Sequence, residues 1–187
     1  MSNADWSFLA PVRRLAWDFA QAQALAGLAL PPSYRSFSEQ VGPGSVGGLF
    51  FVRPPLPVPP DAAALAGHHA HWRANLAEMR AHWREEGVEI GEEEALEQDP
   101  AFPPVDPDRL FFFGGGHNGE LLCWDTARPL PSGEFPIHVI GMRYARIRRV
   151  ADDLMGFFQA MMRPDAIQLQ RALGPGYAPI RATFEPW

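Results

Sequence analysis

Two short apolar runs, Leu110–Phe113 and Leu121–Trp124, flank the segment Gly114-Gly115-Gly116-His117-Asn118-Gly119-Glu120. Runs this short, rich in aromatics and bounded by glycine and asparagine, predict buried β-strands rather than a helix. Glycine supplies positive φ without steric cost, and Asn118-Gly119 suits a hairpin turn. The stretch therefore predicts two adjacent antiparallel strands at the centre of a sheet. The spacing Gly114-x-Gly116-x-x-Gly119 also matches nucleotide-binding loops. A dinucleotide site needs a helix after the last glycine, because the helix N-terminus holds the pyrophosphate, whereas Glu120-Leu121-Leu122-Cys123-Trp124 reads as a strand. A kinase-type glycine loop works with a lysine. All 16 Lys+Arg residues are arginine, which removes any phosphate-pairing or Schiff-base lysine. The turn reading stands.

With 187 residues the chain is long enough for one domain with a substantial core. A hydrophobic content of 47% with 12% aromatics excludes a wholly disordered chain. No apolar run approaches a membrane span, and no charged start followed by an apolar stretch marks a secretory signal. The lone Cys123 falls in a predicted strand and reads as a small buried apolar residue rather than half of a disulfide. Together these features predict a cytoplasmic protein without membrane contact. The net charge of −6 argues against direct nucleic-acid binding, which basic patches carry. It suits either a basic protein partner or simple solubility.

Upstream, Pro11 fits the first turn of a helix on which Val12, Leu15, Phe19, Ala22 and Ala26 recur at helical spacing, with Gly27 at its end and Trp6 and Phe8 packed on it. A second helix starts at Pro32, turns Tyr34, Phe37 and Val41 inward, and stops at Gly42-Pro43-Gly44. Gly47–Arg53 reads as a strand, and the proline series Pro54–Pro60 as an extended surface connector. Ala62–Glu86 predicts the clearest helix: Leu65, His69, Trp72, Leu76, Met79 and Trp83 form one apolar stripe between Asp61 and Gly87 as caps. Beyond the hairpin, Pro136–Gly141 and Tyr144–Val150 read as strands, the second an edge guarded by its arginines. Val150–Met162 predicts an amphipathic helix with Asp152 and Asp153 at its start. Asp165–Leu173 predicts a short helix, and Gly174–Trp187 a tail packed back through Tyr177, Phe184 and Trp187.

His68, His69, His71 and His82 on the long helix invite a metal reading. A structural zinc takes four ligands and a catalytic one commonly three plus water. His68 and His71 share a face, but no acid stands one turn from either and no HExxH occurs. The histidines are therefore read as solvated or half-buried, and no metal or other cofactor is expected. An acidic run follows: Glu85, Glu86, Glu89, Glu92, Glu93, Glu94, Glu97 and Asp99. Mutual repulsion in a core would be costly, so the run is expected on the surface, as a solvated face or as a docking surface for a basic partner. Its candidate contacts are Glu89, Glu92, Glu93, Glu94, Glu97 and Asp99. The glycine turn offers a second set: His117, Asn118 and Glu120. No GxSxG, paired CxxC or activated cysteine occurs, so the pattern predicts no enzyme.

Three stretches carry a family resemblance. Leu30-Pro-Pro-Ser-Tyr-Arg-Ser-Phe37 with Val41-Gly-Pro-Gly44 resembles the LP-x-x-Y-x-x-F helix and glycine stop of the SMI1/KNR4 family, also called the SUKH superfamily. Phe112-Phe-Gly-Gly-Gly-His-Asn-Gly-Glu-Leu-Leu-Cys-Trp-Asp125 resembles its central hairpin, with Glu120 where the family often has Asp. Val150-Ala-Asp-Asp-Leu-Met-Gly-Phe-Phe158 resembles its closing helix. The resemblance implies an α+β fold, with helices packed on a central, mainly antiparallel sheet. The three stretches frame a core at about 12–162 of the single domain expected over 1–187; the insert at about 54–107 departs from the family's simple pattern, and a Pro/Gly-rich tail follows at 163–187. The resemblance further implies a non-enzymatic, protein-binding role. Many bacterial members look like immunity proteins that neutralise secreted nuclease or deaminase toxins, and fungal members act as regulatory scaffolds. The expected function is immunity against a basic toxin domain. A regulatory scaffold and a metal-dependent enzyme using the helix histidines are the alternatives.

Overall fold

The computed structural model describes residues 5–9, 15–58, 64–85, 97–141 and 146–187, with residues 79, 80 and 82–85 described by backbone alone. In chain order the elements are α1 (Phe19–Ala26), α2 (Pro32–Gln40), β1 (Gly44–Val46), β2 (Phe50–Val52), α3 (Leu65–Glu85), β3 (Leu110–Gly116), β4 (Leu121–Asp125), β5 (Ile137–Ile140), β6 (Ile147–Ala151), α4 (Leu154–Met161), α5 (Ile167–Leu173) and β7 (Phe184–Pro186). The strands form one sheet in the order β6-β5-β4-β3-β2-β1-β7, and every named pair is antiparallel. The β3–β4 hairpin sits at its centre, as its apolar runs predict. This is the α+β architecture expected from the sequence.

The hairpin strands are apolar without interruption because the sheet is covered on both faces, which removes the usual in/out alternation of an antiparallel strand. On one face Phe111, Phe113, Leu122 and Trp124 join Tyr34 and Phe37 of α2 and Leu154, Phe157 and Phe158 of α4. Trp124 stacks on Phe113 with ring centroids 4.4 Å apart, and the Tyr34 ring meets it edge-on at 5.2 Å. On the other face Leu110, Phe112, Leu121, Cys123, Ile140 and Ile147 form a second cluster, against which Trp72 and Leu76 of α3 pack. The apolar stripe of the long helix thus faces the sheet where its side chains are described.

Close approach of β2 and of Glu120 explains the glycine run. Gly114, Gly115 and Gly116 pair with Val52, Phe51 and Phe50. A Cβ on Gly114 would fall against the Phe51 carbonyl oxygen, and one on Gly116 against the Glu120 carboxylate. Gly119 turns the hairpin at φ +94°, a conformation that costs other residues a Cβ clash. The ladder shifts register between Phe112 and Gly114, so Phe113 is the extra residue of a bulge.

Local signals set the helix ends. Asp18 caps α1 by accepting from Gln21 N–H at 2.9 Å, and Gly27 closes it in the left-handed conformation. Asp153 caps α4 through Gly156 N–H at 2.6 Å. Pro32 opens α2.

Four expectations need correction. The first helix begins at Phe19, since residues 15–18 are not helical; Pro11 and Val12 lie outside the described residues. Gly44, expected in a helix stop, instead starts β1. Pro54 and Pro55, expected on the surface, are buried. Val150, expected in the closing helix, lies in β6, and α4 starts at Leu154. Trp6 packs on α2 and α4, with its ring 5.1 Å from Phe37 and 6.4 Å from Phe158. The tail does pack back: β7 pairs with β1, placing Val46 opposite Phe184. Trp187 N–H donates to Pro43 O and Gly47 N–H to Thr183 O, which turns the polar groups of Phe184 and Pro186 outward. Pro186 has no N–H, so it blunts this free edge.

Candidate functional site

The described end of the acidic run is a strap, residues 97–105, laid along the β6 edge of the sheet. Glu97 bridges Arg146 in parallel, and Ile147 N–H donates to Glu97 O at 2.9 Å. Gln98 and Val105 close the strap on itself, with Val105 N–H donating to Gln98 Oε1 at 3.0 Å.

Four arginines hold this strap. Arg148, buried at 8% exposure, pairs with the Glu97 carboxylate and donates to the Glu97 and Gln98 carbonyls at 2.9 and 3.2 Å. Arg171 of α5 pairs with Asp99. Arg149 and Arg171 place their guanidiniums 4.8 and 5.7 Å from the Phe102 ring centroid. Arg128 donates to the Pro103 and Pro104 carbonyls at 3.2 and 2.7 Å while paired with Asp125. Guanidinium suits this task, because its planar fork serves several acceptors at once.

The clamp divides the acidic candidates. Glu89, Glu92, Glu93 and Glu94 lie outside the described residues. The Glu97 side chain is 59% exposed. Asp99, expected on the surface, is 5% exposed. Repulsion did not keep it outside because three donors answer its charge: Ala101 N–H, Arg149 N–H and Arg171. Burial alone would raise its pKa, but these bonds outweigh burial and hold the carboxyl below its ordinary value. Arg148 and Arg149 were legible as an edge guard; Arg128, Arg171 and the acceptors in the strap, tens of residues away, were not.

At the hairpin tip His117 and Asn118 are exposed. The His117 ring lies 3.0 Å from Ser45 Oγ, and its backbone N–H donates to Leu49 O at 2.9 Å. Glu120, the third candidate there, is turned in at 1% exposure. It accepts from Tyr177 O–H at 3.1 Å and from Asn118 N–H at 3.2 Å. Its carboxylate is therefore a structural acceptor for turn and tail, not a surface contact.

The helix histidines serve β3. His68 Nε2 lies 3.2 Å from Gly114 O, and Phe112 N–H donates to His69 Nδ1 at 3.2 Å. His69 also stacks on Phe111 at 4.0 Å. Burial, opposed by the Gly114 bond and aided by nearby Arg53, lowers the pKa of His68 to about 4; burial with Arg73 nearby does the same for His69. His71 is exposed whereas His68 is buried against the Gly114 carbonyl, and the His82 side chain lies outside the described residues. Among the described residues no three His, Cys, Asp or Glu side chains gather as a metal site. Burial pushes up the pKa of the Cys123 thiol, and Asp125 adds to it, so the thiol stays protonated at neutral pH.

No described helix is long and apolar enough to cross a membrane. Searches among curated proteins and among solved structures each find no match. Residues 16–160 match the SMI1 / KNR4 family (SUKH-1), a span that takes in α1, α2, the central hairpin and most of α4. Membership suggests protein–protein interaction and is consistent with an immunity-type role. On this match, and on the antiparallel sheet with helices packed against it, the chain belongs to the SMI1/KNR4 family.

Proposed function

We propose that the protein is a non-enzymatic binding domain, an immunity protein that blocks a secreted nuclease or deaminase toxin with a basic surface. Family membership over residues 16–160 carries this reading. The charge pattern supports it. The net charge is −6, and the densest acidic stretch is entered from α3 and left through the arginine-held strap. Glu89, Glu92, Glu93, Glu94 and Glu97 are the proposed contacts, joined by His117 and Asn118 at the hairpin tip. Glu120 supports Asn118 from within, and Asp99 anchors the strap beside Glu97.

Charge complementarity of this kind raises the association rate and selects partners more than it sets affinity. The test is association kinetics with a captured basic partner, comparing the native chain with a variant in which Glu92, Glu93, Glu94 and Glu97 are arginine. The variant is expected to associate about tenfold more slowly at low salt, with the gap closing as salt screens it. Equal association rates at low salt would remove this surface from the reading.

A further inference from the structure

Where the end of α1 approaches α3 and the start of β3, the chain leaves an open cleft of about 380 Å3. Leu28, Phe111 and Phe135 give it apolar walls, and His69 and Arg109 bring two donors to it. Ligand sites of this size characteristically combine apolar walls with a few placed polar groups.

The His69 donor is fixed by the backbone. Phe112 N–H donates to Nδ1, so Nδ1 carries the lone pair and the proton of the neutral ring sits on Nε2. Stacking on Phe111, with planes 13° apart, holds the ring. Nε2–H has no acceptor among the described residues and is not sealed from solvent.

Arg109 differs from several other described arginines. Arg128, Arg148, Arg163 and Arg171 are each engaged by an acid of this chain. The exposed Arg109 guanidinium has no acid or carbonyl partner among the described residues. Among the described residues the one acid that lines the cleft, Asp108, is paired with Arg73 at 3.3 Å. The cleft therefore offers an uncommitted cation and a neutral, directional N–H above an aromatic floor, in a chain of net negative charge.

We propose that this cleft binds a carboxylate carried on an apolar stem, the carboxylate meeting His69 Nε2–H and Arg109 and the stem lying among Leu28, Phe111 and Phe135. A charge-assisted contact with a guanidinium beside a fixed N–H favours a carboxylate over a neutral amide. A free small acid and a glutamate side chain of a protein share this chemistry. The inference does not depend on the toxin reading.

The test is NMR of the full chain with 15N-labelled histidine and arginine, titrated with benzoate, benzamide and acetyl-glutamate amide. Benzoate is expected to shift the His69 Nε2 and Arg109 Nε signals saturably and to raise the pKa of His69. Benzamide should bind about tenfold more weakly, and Arg109→Gln should weaken benzoate by about tenfold. The His68 and His138 signals should stay in place and report an intact fold. Binding of benzoate alone identifies a free acid; binding of acetyl-glutamate amide at least as tightly identifies a protein side chain. Absence of a saturable His69 shift with both acids, or a shift that Arg109→Gln leaves intact, overturns the proposal.

Discussion

Asp99 and Arg171, 72 residues apart in the chain, form a charge pair that ties the end of the acidic run to α5. Truncating Asp99 leaves the Ala101 and Arg149 N–H groups without their acceptor and removes the charge partner of Arg171. Asp99→Ala is expected to cost about 2–3 kcal/mol. Arg171→Ala should cost less, because that side chain is 31% exposed and screened by water. Urea unfolding followed by tryptophan fluorescence measures both. Because the folded-state pKa of Asp99 is depressed, its contribution is present above the ordinary carboxylate range and is lost as pH falls through the folded value. The Asp99→Ala deficit should therefore shrink at strongly acid pH; a deficit that is constant with pH contradicts the clamp.

The glycines of β3 should behave unlike the glycine of α3. Gly114→Ala sets a Cβ against the Phe51 carbonyl, where neither backbone can yield freely. A loss of about 1–3 kcal/mol is expected. Gly67 is exposed on α3 and has open space where a Cβ would stand, so alanine there should stabilise by up to about 1 kcal/mol. Thermal unfolding of the two variants side by side should give shifts of opposite sign.

Acid sensitivity should arise from the buried imidazoles. Burial lowers the pKa of His138 to about 4, with Arg149 and Arg128 adding to it and Asp125 and the Pro136 carbonyl opposing; His68 and His69 lie equally low. A folded pKa below the unfolded value near 6.5 means that the unfolded chain takes up protons first as pH falls. Stability is then full above about pH 6.5 and falls progressively toward pH 4. His138 is 2% exposed and its Nδ1 lacks a partner. His138→Leu should cost less than about 1.5 kcal/mol at pH 7 and reduce the proton uptake on unfolding at pH 5 by nearly one. An unchanged pH slope would show that His138 does not titrate in this way.

Elements with strong local signals were legible in the sequence. Leu110–Phe113 and Leu121–Trp124 gave the central hairpin and Pro32 gave the start of α2, whereas the helix read from Val150 starts only at Leu154, where Asp153 caps it. What escaped depends on partners distant in the chain. β1 and β7 have three residues each and exist because Val46 meets Phe184 across the fold. Asp99 reads as one more solvated acid until Arg149 and Arg171 are placed around it. His68 and His71 share a helical face on paper, yet the β3 backbone, not the helix period, decides what His68 does. Cleft formation by Leu28, His69, Arg109 and Phe135 likewise has no trace in sequence spacing.

Inhibition of a captured partner is the most direct measurement of the proposed function. The basic protein retained by this chain would be assayed for nuclease and deaminase turnover while the chain is titrated in. Loss of activity complete near one equivalent is predicted, with the Glu92, Glu93, Glu94 and Glu97 arginine variant needing more protein or longer incubation. Full turnover by that partner in a saturating excess of the native chain would contradict an immunity role.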